Sequence, residues 1–313
     1  METLIKKALV LAAGLGSFTL HAQQEPMYTH YMYNTLVINP AYAGSRDALS
    51  LTGLHRSQWV GFEGAPSTQT FTMHAPLKNY PVGLGLSVSN DKIGPVSNTS
   101  LFTDFSYIMR LTEKSKLALG LSAGVNMHQS RLNSLDTDQQ NDIVFQNNIN
   151  NRITPDFGFG VYYSRERFYA GLSAPGLLQN KLAVAYQPDG SALVAREQRH
   201  YFFIAGAMIR MTDNLAFKPT TFVKVTAGAP VQADLTASFV IREKLLLGAM
   251  ARTGDAFGAL AGFNITDQFY IGYSYDWSFG LKTGRYNQGS HELVLRYDFL
   301  LYGKKQIHSP RYF

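Results

Sequence analysis

The residue patterns that could do chemistry are few, and their context rules most of them out. Gly120-Leu121-Ser122-Ala123-Gly124 matches the G-x-S-x-G nucleophile pattern of hydrolases, but that pattern works on a sharp strand-to-helix turn and here it sits inside an uninterrupted alternating run. His30, His55, His74, His128, His200 and His291 are scattered, and His291-Glu292 lacks the second histidine of a zincin helix. Asp136, Asp138, Asn141 and Asp142 supply closely spaced oxygens of the kind a hard cation such as Ca²⁺ takes. They lack the glycine and the distal bidentate glutamate of a helix-loop-helix site, so a solvated loop is the alternative. The pattern leads to the expectation of a non-enzymatic protein without a cofactor.

The elements that would carry these residues are strands. The chain is 45% hydrophobic yet only 16% charged, with 27 Gly, 18 Tyr and 20 Phe. Its mean hydropathy of -0.10 is too low for a helical membrane protein. A transmembrane β-barrel reconciles the two facts, because only alternate residues face lipid. Val82, Leu84, Leu86 and Val88 alternate with Gly83, Gly85, Ser87 and Ser89. Phe269, Ile271, Tyr273, Tyr275 and Trp277 oppose Tyr270, Gly272, Ser274 and Asp276. Runs of this kind recur at about 48–58, 67–75, 82–90, 99–111, 116–128, 154–164, 167–174, 200–211, 215–225, 232–242, 244–252, 256–265, 269–278 and 289–299. That is an all-β, antiparallel outer-membrane barrel of about 14 strands.

Connection lengths support the same plan. Leu111-Thr112-Glu113-Lys114, Met211-Thr212-Asp213-Asn214 and Ile265-Thr266-Asp267-Gln268 repeat one polar turn between apolar ends. Long connections at about 129–153, 175–199 and 279–288 fall at the other end. Short turns belong to the periplasm and long loops to the outside, which puts both termini in the periplasm. Polar parity marks Asp104, Arg110, Asp156, Lys218, Lys224, Asp234, Arg252, Asp276, Arg296 and Asp298 as lumen residues, since a mid-membrane charge on the lipid face costs about 2–4 kcal/mol. Aromatic residues including Trp59, Phe71, Tyr107, Tyr162, Tyr169, Phe202, Tyr270 and Trp277 are assigned to girdles at the headgroup level.

The ends read differently. Residues 1–22 carry Lys6 and Lys7, an apolar run from Ala8 to Leu20 and a small residue at Ala22, the pattern of an export signal. Its removal leaves 26 basic against 21 acidic residues, scattered rather than striped, which argues against a nucleic-acid partner. There are no cysteines, hence no disulfides and no lipid-attachment site. Residues 23–47 fit neither period over their whole length. They either fill the barrel as a plug or merely lead into the first strand. The barrel itself is expected over 48–299, with a periplasmic tail over 300–313.

Asn39-Pro40-Ala41-Tyr42-Ala43-Gly44, Pro155-Asp156-Phe157-Gly158-Phe159-Gly160-Val161-Tyr162-Tyr163, Gly272-Tyr273-Ser274-Tyr275-Asp276, Ser290-His291-Glu292-Leu293 and Ser309-Pro310-Arg311-Tyr312-Phe313 occur in an order that resembles the PorP/SprF family of outer-membrane proteins. The resemblance runs over essentially the whole chain after the leader. It implies a component of the type IX secretion and gliding machinery of Bacteroidota. It also implies cargo carrying a C-terminal sorting domain, contacts with other components on the periplasmic side, and outer-membrane lipid around the barrel. Asn39, Pro40, Tyr42, Gly44, Asp156 and Asp276 are the residues expected to shape the interior for cargo. A barrel of this size filled by side chains is too narrow for a folded protein, so docking, export or anchoring of cargo at the surface is the expectation. A small apolar-molecule channel like the fatty-acid transporters is the alternative.

Overall fold

Alternation sets the architecture. The computed structural model describes residues 26–134, 148–186, 192–279 and 287–301. The leader over 1–22, the oxygen-rich stretch holding Asp136, Asp138, Asn141 and Asp142, and residues 302–313 lie outside the described residues. Seven strands follow one another as hairpins: β1 (Ala48–Ser57), β2 (Ser67–Pro76), β3 (Val82–Ile93), β4 (Val96–Thr112), β5 (Ser115–Ser130), β6 (Ile149–Arg165) and β7 (Phe168–Ala174). In the long connection that follows, β8 (Lys181–Tyr186) and β9 (Ala192–Arg196) pair only with each other. β10 (His200–Ala207) and β11 (Ile209–Thr212) then form one wall strand interrupted at Met208. The wall is completed by β12 (Leu215–Thr226), β13 (Gln232–Ile241), β14 (Leu245–Arg252), β15 (Ala256–Asn264), β16 (Phe269–Ser278) and β17 (Ser290–Leu300). β17 pairs back to β1, and β10 bridges β7 and β12, so the sheet closes as a 14-strand antiparallel barrel. Closure removes the two end edges an open sheet would present, though β11, beyond the end of β7, pairs only with β12.

Side chains sort by parity. On β15, Ala256, Gly258, Leu260 and Gly262 are buried while Phe257, Ala259, Ala261 and Phe263 are exposed. The outward set is apolar almost everywhere, with Leu121, Leu235 and Trp277 each more than half exposed. So large an exposed apolar belt is stable only against lipid.

The short turns owe their form to named residues. The hydroxyls of Thr112, Thr212 and Thr266 accept hydrogen bonds from the N–H of Lys114, Asn214 and Gln268, two residues on, the local bond that makes Ser and Thr turn formers. Arg242 and Glu243, both at positive φ, are the central residues of the β-turn that Lys244 N–H closes on Ile241 O in the three-residue connection between β13 and β14. At the opposite rim, β3 and β4 run past the boundaries that apolar alternation suggests and turn at Gly94-Pro95. Beyond the lipid belt Asn90, Lys92, Ser97 and Thr99 still pair as strand without an apolar face to announce it.

Candidate functional site

The interior is lined by two sets of residues, the inward parity of the strands and the segment before β1. From Tyr28 to Gly44 almost every residue is buried. The segment passes through a helical turn, α1 (Thr35–Ile38), and a 3-10 turn (Pro40–Tyr42). Asn39 holds the junction. Its Nδ2 donates to the carbonyls of Val161 (3.0 Å) on β6 and Leu172 (3.4 Å) on β7, and its Oδ1 accepts from Ala41 N (2.9 Å). Pro40 starts the 3-10 turn with its φ already set. Tyr42 meets His74 and Tyr162 edge-on. Ser106 and Ser173 donate to the carbonyls of Ala43 (2.6 Å) and Ile38 (2.7 Å).

So close an approach of backbone to wall requires inward glycines. A Cβ on Gly160 would strike the Asn39 side chain, and one on Gly120 would strike the backbone of Ala41. Gly44 ends the passage at φ +68, where a side chain would also meet Gly83 Cα at 2.6 Å.

Two buried charge clusters bind the segment to the other side of the barrel. In the first, Arg56 Nη2 donates to Asp276 Oδ2 (2.7 Å), and Arg56 Nη1 donates to Thr29 Oγ1 (2.9 Å) and Glu292 Oε2 (3.2 Å). Glu292 accepts the backbone N–H groups of Thr29 and His30 and lies 2.9 Å from His30 Nδ1. Arg252 pairs with Asp234 and donates to Tyr28 O. In the second, Arg46 and Arg296 flank Asp298, at 2.7 and 3.5 Å. Lys218 and Arg296 lie over the ring of Tyr33, which stacks on Tyr270. Buried charges in such numbers are tolerable only because each is matched by opposite charge or hydrogen bonds.

At the rim of long connections a third group anchors the loop after β7. Asp156 Oδ1 accepts from the N–H of Phe157, Leu177 and Leu178. Glu197 Oε1 lies 2.8 Å from His128 Nε2, and Glu197 Oε2 accepts from Asn180 (2.7 Å). Burial pushes the Glu197 carboxyl up, but hydrogen bonds from His128, Asn180 and Thr154 outweigh it and hold the group below the ordinary glutamate range.

The residues expected to shape the interior therefore fall in three places. Asn39, Pro40, Tyr42 and Gly44 meet the wall of β2 to β7, Asp276 belongs to the first charge cluster, and Asp156 braces a rim loop. Of the inward charges, Arg110 differs. It is exposed at the short-turn end, in register with Lys116, because the strand has run past the lumen there. Tyr162, Tyr169, Phe202 and Tyr270 are not girdle residues. They are buried and face inward: Tyr162 stacks on Tyr169 and meets Tyr42 edge-on, Tyr270 stacks on Tyr33, and Phe202 packs at a tilt against Phe222. Arg46, Arg56, His30 and Glu292 escape the polar-parity reading. Arg56 and Glu292 have the right parity, two residues from Leu54 and four from Arg296, whereas His30 and Arg46 lie outside any strand. Ser122 sits mid-strand on β5 with no turn beside it. Among the described residues no three His, Asp or Glu side chains converge as a metal site.

The profile of the family described as type IX secretion system membrane protein PorP/SprF matches residues 20–297, far more than half of the chain. The chain belongs to the PorP/SprF family. Among curated proteins no relative matches it in sequence. Several solved outer-membrane structures are similar at low identity. The Acinetobacter baumannii outer membrane protein Omp33 shares 11% identity over 82% of this chain and 100% of its own, at a TM-score of 0.45. The CymD monoaromatic hydrocarbon channel shares 9% over 85% and 91%, at 0.48. A Pseudomonas aeruginosa FadL homologue shares 12% over 85% and 94%, at 0.46. This PorP/SprF protein is a type IX secretion system membrane protein, and its wall is the closed 14-strand barrel.

Proposed function

We propose that this PorP/SprF protein is a docking and anchoring platform for type IX cargo rather than the export pore. The observation that supports it is the packing of residues 28–44 against both sides of the interior, through Asn39 on one wall and Thr29 and His30 on the other. The lumen is then held by the chain's own residues as a plug, and cargo bearing a C-terminal sorting domain binds from the long-connection rim. Other components of the apparatus meet the short-turn end. Both termini are periplasmic, since an even strand count returns the chain to the side of the short turns. Lipid covers the outward belt, and the protein performs no catalysis and carries no cofactor.

The test is Asn39-Pro40→Ala-Ala in the native host, read by surface display of cargo and by heat-modifiable migration of the barrel. Display is expected to fall while the barrel assembles. Normal secretion and retention of cargo by that variant refutes the reading. The alternative channel for small apolar molecules draws on the buried interior apolar set, Met32, Leu36, Phe202, Ile204 and Phe222. A gentle detergent pull-down separates the two: cargo co-purifies with a platform, and a bare barrel holding fatty acid identifies a channel.

A further inference from the structure

A recess beside α1, walled by inward residues of β3 to β6, carries acid without matching base. Asp156 is satisfied by three N–H groups of the rim loop, but Asp104, only 4% exposed, has an Oδ2 with no hydrogen-bond partner. Ser122, its cross-strand neighbour on β5, has an unpartnered and buried Oγ. Both line a recess of about 70 Å³ whose wall continues through Ser89, Ser100 and Asn126 to Gly176 in the rim loop. Among the described residues no Lys, Arg or His lines it. The opposite half of the interior is built otherwise, with Arg46, Arg56 and Arg252 each on a carboxylate at 2.7–2.8 Å.

A buried, unpaired carboxylate oxygen is costly unless a proton, water or a cation meets it. At roughly 10–15 Å³ for each water, the recess holds several, which is room for the end of a long side chain once they leave. Among the described residues the lining supplies no cation, so a cation that meets Asp104 comes from beyond them. We infer that the recess receives one lysine or arginine side chain of the docked partner, entering from the long-connection rim and ending on Asp104 Oδ2, with Ser122 as a second acceptor. The recess is acceptor-rich along its length, as an ammonium or guanidinium carrying several donors requires. The inference rests on the docking reading and adds the chemistry of the contact.

The experiment places a benzophenone photo-cross-linker at Leu178, a rim residue, in the full-length protein in its own outer membrane. Wild type is compared with Asp104→Asn, Asp104→Lys and Ser122→Leu, the last filling the recess from another wall. The barrel's heat-modifiable migration controls for assembly. The expected result is a cross-linked partner peptide containing Lys or Arg, with yield at limiting partner falling about tenfold or more in Asp104→Asn, the scale of one lost charge-assisted hydrogen bond. Asp104→Lys and Ser122→Leu should abolish it. Equal yields from assembled wild type and Asp104→Asn overturn the inference and leave docking intact, whereas no captured partner from wild type refutes the docking reading and the inference together. Saturable Tb³⁺ luminescence of the purified protein that Asp104→Asn removes also overturns it, assigning the recess to an inorganic cation.

Discussion

Gly160 and Asn39 offer the sharpest test of how the N-terminal segment is held. A methyl group on Gly160 would overlap the Asn39 amide, with Pro40 Cδ 3.1 Å away. Asn39 cannot swing aside freely, because its Nδ2 is tied to Val161 O at 3.0 Å and its Oδ1 to Ala41 N at 2.9 Å. Gly160→Ala is therefore expected to cost about 1–3 kcal/mol as overpacking. Asn39→Ala removes two good hydrogen bonds of about 1 kcal/mol each, a loss of about 2 kcal/mol. In the double variant the amide that the methyl strikes is gone, so the cost should approach that of Asn39→Ala alone. The coupling energy then approaches the Gly160→Ala cost itself, about 1–3 kcal/mol in the compensating direction. The assay is urea unfolding in detergent, followed by fluorescence of the two tryptophans, Trp59 and Trp277. Additive costs within about 0.5 kcal/mol would refute the packing argument.

Arg56→Met strands Asp276 and Glu292 beside each other's charge, and breaking a buried pair in this way costs about 3–5 kcal/mol; an unchanged unfolding midpoint would count against the charge cluster. Leu121→Arg, on the outward face of β5 and more than half exposed, is expected to cost about 2–4 kcal/mol if that face meets lipid, read as folding yield into vesicles. Glu197, held below its ordinary range, contributes loop anchoring that is fully present above the unfolded glutamate value and is lost as pH falls through the folded one. Protease cleavage in the 175–199 connection should accordingly rise on acidification into that window, and Glu197→Gln should show the same cleavage at neutral pH.

The barrel was legible because its signal is repeated: each strand states the same period, and an error on one is outvoted by the next. Charged inward residues followed for the same reason, since Asp234, Arg252 and Asp298 break an otherwise plain pattern. The inward aromatics did not. Tyr162 and Tyr270 have the parity of lumen residues but the chemistry of girdle residues, and only the rings of Tyr42 and Tyr33 opposite them decide the matter. Glu292 was hidden differently, because its partners His30 and Thr29 lie in a segment with no period at all. The β8–β9 ribbon was hidden inside a long connection, because runs of six and five residues are too short to state a period.

The bond between His30 and Glu292 spans 262 residues of sequence. It joins the segment before the first strand to the last strand of the wall, the same strand whose pairing with β1 closes the barrel. Contacts this distant form late, since the chain must be ordered before they repay its entropy. The N-terminal segment therefore cannot reach its final bonds until the final hairpin is in place. Closure of the wall and capture of the segment become one event, and a chain stalled before β17 leaves Arg56 without its carboxylate from that strand and its own leading residues free for other partners.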